Sequence, residues 1–139
     1  MFRFELPFRT LPALVILVGV CVAAADEPRI WKLTEEFNAP EAKQAAAIHD
    51  GAVYVVTNDH VVKYDRVTKR RLGRSQPDVK HLNSAFVAAD RIYLAHSNYP
   101  EKPEHSEIYG LNPSSMQLEK FHDFGNFGGS LTWCVLYND

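Results

Sequence analysis

The chain writes one pattern of residue types twice and begins it a third time, and that repetition constrains its fold more than any other feature. Residues 48–72 run through Asp50-Gly51, Val53-Tyr54-Val55-Val56-Thr57-Asn58, Val61-Val62-Lys63-Tyr64-Asp65 and Thr68. The order returns over 87–118. There, Ala89-Asp90-Arg91 and Ile92-Tyr93-Leu94-Ala95-His96-Ser97-Asn98 precede Glu107-Ile108-Tyr109-Gly110-Leu111 and Asn112-Pro113-Ser114-Ser115. A third start stands at Gly128-Gly129-Ser130-Leu131-Thr132-Trp133. A unit of about 40 residues made of short strands is the period of a propeller blade. The predicted fold class is therefore all-β: antiparallel β-propeller-like blades, open and incomplete.

Local chemistry supports the strands. Asp50-Gly51 is a hairpin turn dipeptide, and Ala52 to Thr57 behind it is β-branched and aromatic. Asn58-Asp59-His60 predicts the next tight turn, because Asn and Asp tolerate positive φ and bond their own backbone. Val61 to Tyr64 follows as a strand, and Asp65 and Thr68 can cap the backbone donors of the turn after it. Three hairpins in so short a span leave no room for a crossover helix, so the sheet is antiparallel. In the second unit the loop 99–105 is longer, and Pro100 and Pro103 exclude it from a ladder. The expected organisation is a lead-in segment over 26–44 with a possible strand around Ile30–Leu33, a first unit over 45–78, a second over 79–125, and the start of a third over 126–139. Glu41 to Ala47 has helix-friendly composition but is short and lacks an amphipathic stripe, and in a propeller its small residues suit an innermost strand at a crowded axis.

Residues 1–25 read as an export signal. Arg3 and Arg9 precede the apolar run Leu11–Val22, and Ala23-Ala24-Ala25 offers small residues for cleavage. The run is shorter than the roughly 20 residues a spanning helix needs. Expected localisation is secreted or periplasmic, with no stable membrane span after cleavage. Val20 before Cys21 does not suit a lipoprotein signal. Cleavage leaves Cys134 as a single cysteine, expected as a buried apolar side chain. The net charge of −2 and the scattered basic residues leave no nucleic-acid footprint. Lys69-Arg70-Arg71 is the one basic cluster, and its place beside a turn predicts a solvated face.

Val53-Tyr54-Val55-Val56-Thr57-Asn58, then Val61 to Asp65 and Thr68, resembles the YVTN family of β-propeller repeats. Ile92 to Asn98 and Asn112 match the same pattern more loosely. The resemblance implies blades of a propeller, and propellers host binding platforms, oxidoreductases, lyases and hydrolases alike. A closed ring takes about four to eight blades. Two units and a start leave sheet faces uncovered. The expectation is a fragment of a longer protein, or self-association through those faces.

Innermost strands line a propeller's channel, so the segments that open them are the candidate site. Strict alternation places His81 and Asn83, with Ser130 and Thr132, on one face, opposite Leu82 and Leu131. His81 is the candidate acid or base, and Asn83, Ser84, Ser130 and Thr132 the candidate ligand-binding residues. The alternative is that these side chains satisfy backbone groups at a channel mouth. His96 and His122 extend the set, yet no two histidines stand at the close spacing of a local metal site, and neither metal nor cofactor is expected. No nucleophile elbow supports a triad of His81 with Ser84 or Ser130. Gly125 to Gly129 lacks the Lys-Ser/Thr of a phosphate loop. Tyr54, Phe86 and Trp133 read as sheet-packing aromatics. The leading functional expectation is an exported protein that binds a small polar ligand or a protein partner. The alternatives are a propeller lyase, isomerase or oxidoreductase, and a truncated remnant without independent activity.

Overall fold

The computed structural model describes residues 30–137, so the expected leader lies outside the described residues. The chain divides into two units, Met1–Thr34 and Glu35–Asp139. In the first, residues 30–34 form no strand, contrary to the expectation around Ile30–Leu33. Four alternating residues with no turn to bring back a partner make a weak strand signal.

The second unit is all-β, with eight strands and no helix among the described residues. β1 (Ala45–His49), β2 (Ala52–Val56), β3 (Val61–Asp65) and β4 (Arg71–Arg74) form one antiparallel sheet in that order. β5 (Leu82–Ala88), β6 (Arg91–Ser97), β7 (Ser106–Leu111) and β8 (Leu118–Gly125) form a second sheet of the same order. Asp50 and Gly51 both take positive φ, 45° and 69°, as a two-residue hairpin turn matched to strand twist requires.

The two longer turns are built alike. Asp65 Oδ1 accepts from the Val67 and Thr68 amides, and Asn112 Oδ1 accepts from those of Ser114 and Ser115. Lys69 and Met116 then close the turns at φ 62° and 58°, each donating its amide to the carbonyl of the Asp or Asn. The donors to Asp65 hold its carboxyl below the usual range: the Thr68 amide acts most strongly and the Thr68 hydroxyl next. A carboxyl depressed in the folded state stabilises the fold above its unfolded pKa, here taken as 3.8, and that contribution is lost as pH falls through the lower folded value. Below about pH 4 the melting temperature should therefore fall. Asp65→Ala should melt lower at neutral pH and show a shallower acid decline by circular dichroism; an unchanged acid limb would remove Asp65 from this account.

Alternation along the strands puts one core between the sheets. Ala52, Tyr54, Val56 and Val61 of the first meet Leu82, Ile92, Leu94, Leu111 and Leu118 of the second, all buried. Each of the valine, leucine and isoleucine side chains among them contributes roughly 1.5–3 kcal/mol on burial. The opposite face of the first sheet buries Val53, Val55, Val62 and Tyr64 under Phe37 and Ala39 of the lead-in segment. The Phe37 and Tyr64 rings meet edge-on at 5.5 Å, and Tyr64 donates its hydroxyl to Glu41. Lys69, from the predicted solvated cluster, pairs with Glu35 and lies 4.6 Å from the Phe37 ring centre.

Main-chain hydrogen bonds also join the sheets. Gln76 donates to the Met116 carbonyl at 2.9 Å, and Leu118 donates to that of Gln76 at 2.7 Å. Val79 and Leu82 donate to the carbonyls of Asp59 and Asn58. Thr57 shapes the β2–β3 turn that presents them, its hydroxyl oxygen accepting from the Asp59 and His60 amides.

The expected third unit forms no strand over residues 126–137; its last two residues lie outside the described residues. This segment crosses the far face of the second sheet instead. Cys134, Val135 and Leu136 close an apolar cavity of about 140 Å³ against Phe86, Ala88, Tyr93, Ile108 and Phe121. Trp133 is mostly exposed, unlike the sheet-packing role expected of it, whereas Tyr54 is fully buried.

Candidate functional site

β5 opens at one end of the second sheet, where β6 ends, β7 begins and β8 ends. His81 turns the chain into β5 in the left-handed region, at φ 43°, an uncommon conformation for a residue with a β-carbon. Its carbonyl accepts from the Ser97 amide, and its ring lies 5.3 Å from that of Tyr99 in the proline-containing loop.

The strict alternation expected for this segment does not hold. β5 shifts register between Leu82 and Ala85, so both face the core. Such an irregularity re-aims the residues it contains. The Asn83 amide donates to the carbonyls of His81 and Leu131, which commits it to the backbone. Ser84 Oγ is buried without a hydrogen-bond partner. It lies toward Cys134, whose thiol burial pushes up in pKa while the nearby Ser84 hydroxyl works the other way. Ser130 donates to Ser97 Oγ at 2.7 Å, and Thr132 is exposed. Of the five predicted residues, Asn83 and Ser130 tie the 126–137 segment to the sheet, and His81 keeps an imidazole at the loop end.

A denser group of side chains stands beside His81. Glu107 is 92 % buried as a side chain, and four polar groups converge on it. His96 Nδ1 lies 3.2 Å from Oε2, and His105 Nε2 lies 3.2 Å from Oε1. The Lys120 ammonium pairs with Oε1, and the Tyr109 hydroxyl stands near the same carboxylate. Asp123 completes the group, 3.0 Å from His105 Nε2 and 3.2 Å from Lys120 Nζ. Burial opposes the charge on Glu107, but Lys120 and Tyr109 outweigh it and hold the carboxyl below its ordinary value. Burial also lowers the His96 pKa; Glu107 resists, while His105, His81 and Lys120 reinforce the burial. His96 is therefore neutral near pH 7, and despite its short approach to Glu107 its Nδ1 makes no hydrogen bond.

The register makes this arrangement. His96 sits opposite Glu107 across β6 and β7, and Glu107 opposite Asp123 across β7 and β8. Lys120 and Asp123, three apart, would point to opposite faces of a regular strand. A register shift in β8 between the partners of Tyr109 and Ile108 puts both on the Glu107 side. His105-x-Glu107 was a readable signal, since residues two apart where a loop enters a strand can share one face. His105, Glu107 and Asp123 each offer a ligand atom, all within 4.8 Å of one another.

A scan against protein-family models, a search of curated proteins and a search of solved structures each returned no match to this chain.

Proposed function

We propose that the two sheets are blades of an exported β-propeller-type binding protein, completed by further blades, that takes a small polar ligand at the loop end of the second sheet. The observation that supports this most is the gathering of His96 and His105 around the buried Glu107 carboxylate, at the end of the sheet where His81 turns into β5, since convergent polar groups at strand ends are how a rigid scaffold orients a ligand. Two four-stranded meanders of the same strand order packed face to face suit neighbouring blades. The far face of the second sheet, with Phe121 60 % exposed and covered only by an irregular strip, suits a surface that receives another blade.

The test is thermal melting of the full chain against small carboxylates, amines and sugars in metal-free buffer containing a chelator. A ligand at 100-fold its Kd adds about 2.7 kcal/mol, which is readily seen as a rise in melting temperature. At least one compound should give that rise, and the His81→Asn/His105→Ala double variant should lose it. Asn is chosen because it tolerates the left-handed backbone at 81. A flat response across the panel, or a shift that survives the double substitution, would sink the reading.

A further inference from the structure

We propose that His96, His105, Glu107 and Asp123 form a binding site for a first-row divalent cation such as Zn²⁺, with the Lys120 ammonium holding the cation's place when the metal is absent.

The donor set is two imidazoles and two carboxylates, which suits zinc and its first-row neighbours better than the all-oxygen shells of calcium or magnesium. Three of the donors already lie within 4.8 Å of one another. His96 is the independent observation. Its side chain is 90 % buried and its Nδ1, 3.2 Å from Glu107 Oε2, lacks a partner in hydrogen-bond geometry. An orphaned buried nitrogen costs free energy unless something satisfies it, and a cation held by Glu107 would do so directly.

The present arrangement also shows that the two carboxylates converge on positive charge. Lys120 Nζ contacts both Glu107 and Asp123. Its side chain is 48 % exposed, so it can swing into solvent without breaking the core. Binding then exchanges an ammonium for a metal ion beside the same oxygens. The donors stand on β6, β7, β8 and the end of the 98–105 loop, so the sheet itself sets their spacing. Rigid-element donors of this kind need little ordering when the ion arrives.

This inference deepens the proposed polar site but is measured apart from it. The full chain, stripped with chelator, is titrated with Co²⁺ alone at about pH 7.5. One equivalent should produce visible d–d absorption that Zn²⁺ abolishes. His105→Ala and Asp123→Ala, both at half-exposed positions, should each weaken binding by about tenfold or more. Lys120→Met should tighten it, because the competing ammonium is gone. A chain with no stoichiometric cobalt spectrum overturns the proposal, and so does binding indifferent to all three substitutions: the cluster would then be a self-satisfied ion-pair network. Cobalt binding with a flat response in the chelated ligand panel retains the metal site and discards the ligand reading; the reverse pair of results discards the metal site alone.

Discussion

Leu94→Ala should remove about 2–5 kcal/mol of folding stability. Leu94 is fully buried between the sheets, in the cluster that also holds Tyr54, Val56, Ile92 and Leu111. Its truncation removes the transfer free energy of the lost carbons and leaves a cavity that paired strands on both sides cannot close. A domain of this size has on the order of 5–15 kcal/mol in total, so the loss is a large share of what exists. The melting temperature should fall by on the order of 10 °C or more. Urea unfolding gives the number directly, and Leu72→Ala is the control: Leu72 is 57 % exposed on β4 and its loss should stay within about 0.5 kcal/mol. If the two variants unfold at the same urea concentration, Leu94 does not belong to a shared inter-sheet core.

Ser75→Ala should destabilise by about 1–3 kcal/mol for a different reason. Ser75 has no exposure, and its Oγ accepts the Val61 amide at 2.9 Å. Its own amide donates to the Val61 carbonyl at 2.8 Å. The hydroxyl thus stands where a main-chain carbonyl of another strand would complete the ladder. Without it, the buried Val61 N–H has no acceptor and no route to water. Ser115→Ala is the comparison, since Ser115 Oγ accepts an amide at an exposed turn where water can replace it. Equal midpoints for the two variants in denaturant would mean that Val61 finds another acceptor.

The turns were legible because they are chemistry local to three or four residues. Asp50-Gly51, Asp65 with Thr68, and Asn112 with Ser114 and Ser115 bond as their types predict. The strands between them, and hence the all-β fold, followed from those turns and from alternation. Alternation failed where a strand shifts register. Leu82 and Ala85 both face the core, so Asn83 and Ser84 left the face assigned to them. The Lys120–Asp123 pairing depends on the same kind of shift in β8. His96, Glu107 and Asp123 sit on three different strands, and only cross-strand register makes them neighbours, a property that no spacing along the chain reports. The strand expected at the third start depended on a partner ladder that 126–137 does not have.

The connection from β4 to β5 has one more consequence. Between residues 75 and 82 it is clamped at Gln76, Val79 and Leu82, each time by main-chain groups. Apart from Ser75, Val79 and Leu82, which are buried or pack on the core, side chains there take little part in the fastening, so substitutions at its exposed positions should leave the angle between the sheets unchanged. The geometry of the junction is written in peptide groups, and the identities of its exposed residues, Asp78 and Lys80 among them, are free to serve some other requirement, such as solubility.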